Sequence, residues 1–521
     1  MKQNKIPKFI KVACALVTTV AVAACVGGCG KEEKNEPKGK VTYWAPINYN
    51  ATTFASNWDE LPIYQKLQED TGVDIEFVHP SGASWDESFS ILLASNELPD
   101  MIQYNWATYP GGPGRAIKDK VIIDLYEYKD KLPNLMKYLD ENPEVKKNAV
   151  TNDGQLFAAP FIRGDKSLCV SYGIAMRNDW LDELGLEAPE TIEEWDAVLT
   201  AFKEKKGASA PLYINLDALK YGLFAGAYDT CYDYYLKDGK VTHGFLDSGF
   251  KQLLMQLNDW YKRGLLDNNF ASIDGRTLDA NFLNGETGAM PMSLGGGIGK
   301  YLSNAPDDKY DLIGVKSAVL NKGDYPEFGF FQTQIPPTQT GSFTAVTTDC
   351  DNIEDVLKII DYGYSEKGGM LYNFGVEGES YNMVDGYPKY TEQITNNPEY
   401  AMSVMLSKYT ASYDSGPFIQ DTRYMEQYAA RPQQQAAWKT WTESNMSDHL
   451  LPNLYVSGDD QKELANISNN LISYMNESIT KLIMGTESFD NYDKILKELE
   501  NRGIKDAIRI YQKAYDGYLK R

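Results

Sequence analysis

The sequence predicts an α/β chain with a second α/β unit behind the first and a mostly helical C-terminal part. Three observations carry this. A strand, helix, strand, helix, strand order opens the chain behind a short leader, the order of a parallel sheet. A second set of strands and helices starts near residue 165, and the last third keeps helical spacing with Tyr-rich and Trp-bearing stretches.

The elements follow in order. Val41-Thr42-Tyr43-Trp44 reads as a strand, and Asn57 to Asp70 as a helix with Ile63, Tyr64 and Leu67 on one face, closing at Gly72. Val73, Ile75 and Phe77 alternate as a second strand. Trp85 to Ser95 is a helix turning Phe89, Leu92 and Leu93 inward, and Asp100 to Tyr104 is a third strand. Asn152-Asp153-Gly154 is a turn, followed by extended Leu156 to Pro160. Tyr172 to Met176 reads as a strand and Asp179 to Leu184 as a short helix stopped at Gly185. Thr191-Ile192-Glu193-Glu194 is a capping box opening a helix to about Lys205. Gly285 to Gly299 is Gly-rich, and 321–340 holds several turn residues.

The first residues read as an address. Lys2, Lys5, Lys8 and Lys11 precede an apolar run, Val12 to Ala24, too short to span a bilayer. Val22-Ala23-Ala24-Cys25 and Val26-Gly27-Gly28-Cys29 both resemble the bacterial lipobox, in which the Cys carries the lipid. Cys29 is favoured because the polar stretch Lys31 to Pro37 starts behind it; Cys25 is the alternative. The reading is a signal peptide over 1–28 and a flexible tether over 29–40, with no later apolar run that spans. A net charge of −22 over 521 residues argues against nucleic acid as a partner. Cys169, Cys231 and Cys350 follow neither a disulfide framework nor a zinc pattern and read as small buried hydrophobes, with one disulfide left open. With 36 Tyr and 9 Trp the chain is ring-rich, which suits sugar faces and core packing alike.

Several segments together resemble a known family. Ile91-Leu92-Leu93-Ala94-Ser95-Asn96-Glu97-Leu98-Pro99-Asp100 is similar to its "LASGxLPD" segment, and Met176 to Leu186 to its "RxDWLDKLGL", followed by the "P-x-T-x-x-E-W" helix start at Pro189 to Trp195. Phe282 to Met290 resembles its "F-x-x-G-x-x-G-M" loop, Asn373 to Tyr381 its "GxEGxxY", and 485–518 its terminal helices. Behind a lipobox and in this order, the chain resembles the family 1 extracellular solute-binding lipoproteins of Gram-positive bacteria, in their large carbohydrate-importer subgroup. The resemblance implies a periplasmic-binding-protein-like fold of type II with hinge crossovers. Lobe 1 would comprise 41–163 and about 346–405, lobe 2 164–345 and about 406–521. It also implies an oligosaccharide ligand held between closing lobes, permease subunits as partners, and attachment to the outer face of the cell membrane through the N-terminal lipid. The ATPase must be a separate subunit, since the chain has no Walker A motif. A monomer without cofactor is expected. Alginate-binding relatives carry a calcium loop after the helix at 191–205, but here Lys203 to Ala210 lacks its Asp-x-Asn-x-Asp spacing, so no metal is expected there. Asp349, Asp351, Glu354 and Asp355 read as a solvated turn entering a helix.

A sugar site needs flat rings and hydrogen-bonding groups in a preformed cleft. Trp44, Tyr104 and Trp106 end or follow strands and either line that cleft or pack in the core. Arg177 follows a strand and either grips a hydroxyl or carboxylate or makes a structural salt bridge. Ser293 to Gly297 could offer bare backbone donors. Phe330 and Phe331 are loop candidates, and Glu377 and Tyr381 lie in the family-like loop. Trp438 and Trp441, three apart on a helix, fit a site or a core stripe, whereas Trp180 and Trp195 sit at core spacing. The rivals are a secreted polysaccharide-active enzyme, a sensor or adhesin on the same fold, and a receptor for a peptide or other polar solute. No G-x-S-x-G or H-E-x-x-H motif supports an enzyme, and His79, His243 and His449 are isolated. A pair of close carboxylates among 73 acids would mean nothing by itself.

Overall fold

A computed structural model describes residues 40–521, apart from 81–83, 96, 220–221, 329–337, 412–415, 445–446 and 457. The leader, the tether, Cys25, Cys29, Phe330 and Phe331 lie outside the described residues. The strands are β1 Val41–Trp44, β2 Ile75–Val78, β3 Met101–Tyr104, β4 Ala159–Arg163, β5 Tyr172–Arg177, β6 Tyr234–Lys237, β7 Lys240–His243, β8 Ala289–Ser293, β9 Leu312–Val315, β10 Thr338–Val346, β11 Tyr381–Val384, β12 Tyr387–Tyr390 and β13 Ile419–Gln420. Six form a large mixed sheet, in the order β13-β4-β10-β3-β1-β2. Three form a small antiparallel sheet, β8-β5-β9, and β6–β7 and β11–β12 are separate hairpins.

The period-2 alternation of the strands decides what each face of the large sheet buries. Tyr43, Met101 and Val346 enter a core with Ile63 and Leu67 of the helix Pro62–Thr71 and Val356 and Ile360 of the helix Ile353–Gly363. Their neighbours Trp44, Ile102 and Ala345 enter a second core on the other face, with Phe89 of the helix Trp85–Ala94. The helix read from Asn57 starts as an α-helix only at Pro62. Pro62 forces Leu61 into extended backbone (φ −93°, ψ 138°), so the capping box of Asn57 and Glu60 closes a short 3-10 turn instead. The other helix signals hold. Gly72 and Gly185 end their helices at positive φ, and Thr191 and Glu194 form the expected capping box on Ile192–Lys206.

The small sheet belongs to a third and larger core, with Trp195 of Ile192–Lys206, Trp260 of Ser248–Lys262 and Ile479 of the long helix Gly458–Met484. The helix Pro432–Glu443 lies directly on this sheet. A Cβ on Gly173 of β5 would sit 2.5 Å from the Trp441 ring, and one on Gly314 of β9 2.5 Å from the Ala437 Cβ, so both strands are bare where the helix crosses. Trp441 donates its indole N–H to the Ile174 carbonyl at 3.2 Å. The C-terminal helix Ile504–Tyr518 reaches back to the opening third of the chain. Tyr518 accepts from Asn148 at 3.3 Å, and Arg521 donates to Asn152 at 2.9 Å. Cys169, Cys231 and Cys350 are free thiols. Among the described residues, no helix is long and apolar enough to cross a membrane.

Two substitutions test this packing. Gly173→Ala drives a methyl into Trp441 and is expected to destabilise the chain by about 1–3 kcal/mol in urea unfolding. His243 is buried; its Nδ1 accepts from the Phe245 amide at 3.2 Å, and burial pulls the imidazole from 6.5 down to about 4. Above pH 6.5 the ring is neutral whether the chain is folded or not. As pH falls from 6.5 to 4 only the unfolded chain gains the proton, so stability is lost across that window, by at most about 3 kcal/mol. Asp247, pushed up to about 6 by burial, works in the opposite sense, so the informative quantity is a difference. His243→Asn keeps an acceptor for Phe245, and unfolding compared at both ends of the window should show the variant losing less stability on acidification than the parent.

Candidate functional site

Five strands of the large sheet run in one sense, β1, β2, β3, β4 and β13, with β10 opposed. Their carboxyl ends, Trp44, Val78, Tyr104, Arg163 and Gln420, therefore share one edge, the place where such sheets hold ligands. Along this edge an aromatic shelf lies at β1 and β3, and a cavity at β4 and β13.

On the shelf, Trp44, Tyr104 and Trp106 are buried. Phe89 stacks on Tyr104 at 3.6 Å between centroids and meets Trp106 edge-on at 5.4 Å, while Trp44 stacks on Trp85 at 6.5 Å. The Tyr104 hydroxyl donates to Asp86 at 2.6 Å; burial first and Asp86 second push it up to about 12. The structure thus uses these three rings to dock the helix Trp85–Ala94 onto the sheet. Buried polar atoms without a hydrogen-bond partner gather here: the indole nitrogens of Trp85 and Trp106 and Asn105 Oδ1. Tyr49, in the loop after β1, is 88% exposed. The sequence reading passed over it because no periodicity marks it.

The cavity, of about 720 Å³, is where the chain leaves the large sheet. Gly164 and Asp165 follow β4, Asp421 to Arg423 follow β13, and Glu366, Glu377 and Tyr381 come from the segments between. The two exits lie side by side: the Gly164 amide donates to the Gln420 carbonyl at 3.1 Å, and a Cβ at Gly164 would sit 2.5 Å from that oxygen. The Arg163 guanidinium donates to Gln420 Oε1 at 2.8 Å, and burial lowers its pKa. Arg423 grips Asp421 through Nε at 3.0 Å and Nη2 at 2.5 Å, and the same carboxylate caps the helix Thr422–Tyr428.

Glu377 and Tyr381 are brought together on a loop fixed from beneath. Gly375 takes φ 88°, and a Cβ there would lie 2.4 Å from Ser380 Oγ. That buried hydroxyl donates to the Phe374 carbonyl at 2.7 Å and accepts from the Val376 amide at 2.8 Å. Asn373 ties the loop to the exit strand: it donates to the Ile419 carbonyl at 2.8 Å and accepts from the Asp421 amide at 2.9 Å. Glu377 stands exposed above this frame. Burial first and the Glu377 charge second raise the Tyr381 hydroxyl above its ordinary value.

The remaining candidates are spread out. Ser293 ends β8 opposite Tyr172, the first residue of β5, so it lies where the chain enters the small sheet. The glycines behind it wind into a π-helical turn, Leu294–Gly299, and a Cβ at Gly295 would collide with the Tyr428 hydroxyl. Arg177 closes β5 at the opposite end, about 17 Å away at ~3.4 Å per residue. It is buried, ion-paired to Asp179 at 2.5 Å, and sandwiched between Trp180 at 4.5 Å and Tyr310 at 4.1 Å. Trp438 is half-buried and donates its indole N–H to the Ser167 carbonyl at 2.8 Å, pinning the segment between the sheets. Trp180, Trp195 and Trp441 are core. Sequence reasoning missed Asp165, Glu366, Asp421 and Arg423. Asp165 and Asp421 each cap the helix that starts at the next residue, accepting from the amide two residues on, which was the available signal.

Comparison with known proteins agrees with this architecture. The chain is 24% identical to the fructooligosaccharide ABC transporter substrate-binding protein FusA of Streptococcus pneumoniae, over 99% of each chain. It is 24% identical to the lipoprotein LipO of Bacillus subtilis, over 74% of this chain and 79% of that one. It is 21% identical to the polygalacturonan/rhamnogalacturonan-binding protein YtcQ of Bacillus subtilis, over 96% and 97%. An HMO-binding solute-binding protein of Bifidobacterium longum infantis superposes with a TM-score of 0.74 at 21% identity, over 93% of this chain and 100% of that one. The alginate-binding protein AlgQ2 without calcium superposes with a TM-score of 0.69, also at 21% identity, over 92% and 99%. The fold is that of the two-lobed periplasmic solute-binding proteins. The profile described as "Bacterial extracellular solute-binding protein" matches residues 51–370, more than half of the sequence, and the chain belongs to that family of ABC-transporter binding proteins, which are not enzymes.

Proposed function

We propose that the chain is the lipid-anchored receptor of an ABC importer for oligosaccharides, holding its ligand along the carboxyl edge of the large sheet. The observation that carries this is the cavity of about 720 Å³ at the two sheet exits, with Glu377 and Tyr381 on a loop fixed by buried hydrogen bonds. A preformed frame saves the ordering cost that binding would otherwise incur. Relatives named for fructooligosaccharide and polygalacturonan/rhamnogalacturonan binding support the ligand class. In this reading the carboxylates accept sugar hydroxyls and the exposed Tyr49 ring lies on a sugar face.

The segments after Gly164 and Asp421 would be the hinge. They leave the large sheet in contact and lead to the small sheet and to the helix Pro432–Glu443 upon it. In this reading the crossover lies at Asp421, after the edge strand β13 at 419–420, rather than near residue 405. A ligand would favour closure only by its differential affinity for the closed state.

Two measurements check this. Lys40–Arg521 forms one compact unit, and a thermal-shift screen of it against oligosaccharides should find stabilisation of about 2.7 kcal/mol at 100 times Kd. Glu377→Ala should weaken that binding about tenfold without lowering the melting temperature of the free chain, since the side chain is exposed. A screen answered only by peptides or polyols would refute the sugar reading. For the anchor, Cys29→Ser should move the protein from the membrane fraction to the medium, whereas Cys25→Ser should leave it attached; the reverse result assigns Cys25.

A further inference from the structure

We infer that the cavity selects uncharged oligosaccharides and rejects uronic-acid ones; this rests on the proposed sugar-receptor function and specifies its ligand class. The question is posed by the relatives themselves, one named for fructooligosaccharide and others for polygalacturonan and alginate.

The observation is the balance of charge in the cavity. Among the described residues its lining holds four carboxylates, Asp165, Glu366, Glu377 and Asp421, against one cation, Arg423, and no lysine. Arg423 is already held by Asp421 through both Nε and Nη2, so its fork is occupied by a carboxylate of the chain itself. Two other cations near the edge are committed. Arg163 lies behind Gln420 and donates to it. Lys367, beside Glu366, pairs with Asp70 of the helix Pro62–Thr71 at 2.9 Å. Lys166, Lys389, Asp385 and Glu426 all stand outside the lining, two of each sign, so the balance is decided by the lining itself. Arg177, the residue that could have met a carboxylate, is closed off by Asp179 at the far end of β5.

A uronate chain would bring one negative charge per sugar into this field, with no free guanidinium to receive it. Like charges brought together at a binding surface exclude a partner. A neutral sugar meets the same carboxylates as hydroxyl acceptors at no such cost, because an ionised carboxylate only accepts.

The test titrates Lys40–Arg521 by calorimetry with neutral fructo-, gluco- and galacto-oligosaccharides and, as uronates, oligogalacturonides and alginate oligomers, at low and high ionic strength. The expected result is that a neutral class binds and every uronate binds at least about tenfold more weakly, with the gap narrowing in salt and in the Glu366→Gln/Glu377→Gln double variant. The salt series needs no variant, so it stands even where the double variant fails to fold. Uronate binding equal to or tighter than neutral binding overturns the inference and leaves the sugar receptor intact. Binding of neither class overturns the sugar-receptor reading, and the inference with it.

Discussion

The constraint on which the molecule turns is the side-by-side exit of β4 and β13 from one edge of the large sheet. The Gly164 amide reaches the Gln420 carbonyl, and the same spot excludes any Cβ, so the two segments leave in backbone contact. Two consequences follow. The chain passes from the large sheet toward the small sheet through these paired segments, while Tyr455, Tyr518 and Arg521 of the C-terminal part add further hydrogen bonds to residues 148–152. The groups that follow the two exits, Asp165 on one and Asp421 with Arg423 on the other, are brought into a single cavity although they are far apart in sequence.

Around these exits, rigidity comes from buried polar groups that are fully used. Asn373 donates to Gly369 and Ile419 and accepts from Asp421, so one amide side chain joins a helix, the edge strand and the exit. Ser380 does the same within the loop beneath Glu377. Such networks specify one geometry when every member is satisfied. The small sheet is held differently, by shape: its strands carry glycine where the helix Pro432–Glu443 crosses, and Trp441 fills the space. Trp438, on the same helix, reaches the crossover through Ser167, so the packing of the small sheet is coupled to the position of the segment that leaves β4.

How much of this could be read beforehand depended on period. β1, β2, β3 and β5 and the helices after Ser84 and Thr191 announce themselves through alternation, spacing and caps. β13 has two residues, too few to show any period, and without it the edge of the sheet and the second exit are invisible. Trp44, Tyr104 and Trp106 were legible as rings at strand ends, and they do lie on the carboxyl edge. Their burial depends on Phe89, which approaches from another element, and no local pattern reports that. Arg177 shows the same gap: its position after a strand was readable, but not that the strand begins at the crossover and therefore carries Arg177 away from it. Glu377 and Tyr381 were found because the motif that names them is also the loop whose glycine and serine fix its shape.

The distribution of acids completes the physical picture. Where a carboxylate is buried, the chain has taken up its acceptors. Asp361 accepts from the amides of Asn134 and Leu135 and from the Asn134 side chain, and burial still raises its pKa. Asp70 accepts from Tyr362 and pairs with Lys66 and Lys367. Glu366 and Glu377, by contrast, stand exposed in the cavity, where water screens their mutual repulsion and the folded chain tolerates them at little cost. A ligand that displaces that water inherits the field. Hydroxyl groups can replace the lost hydrogen bonds to carboxylate oxygens one for one, which an anion cannot do. In the proposed reading, the same placement that makes these acids cheap to fold makes them decisive on binding, because their interactions are left for the ligand to complete.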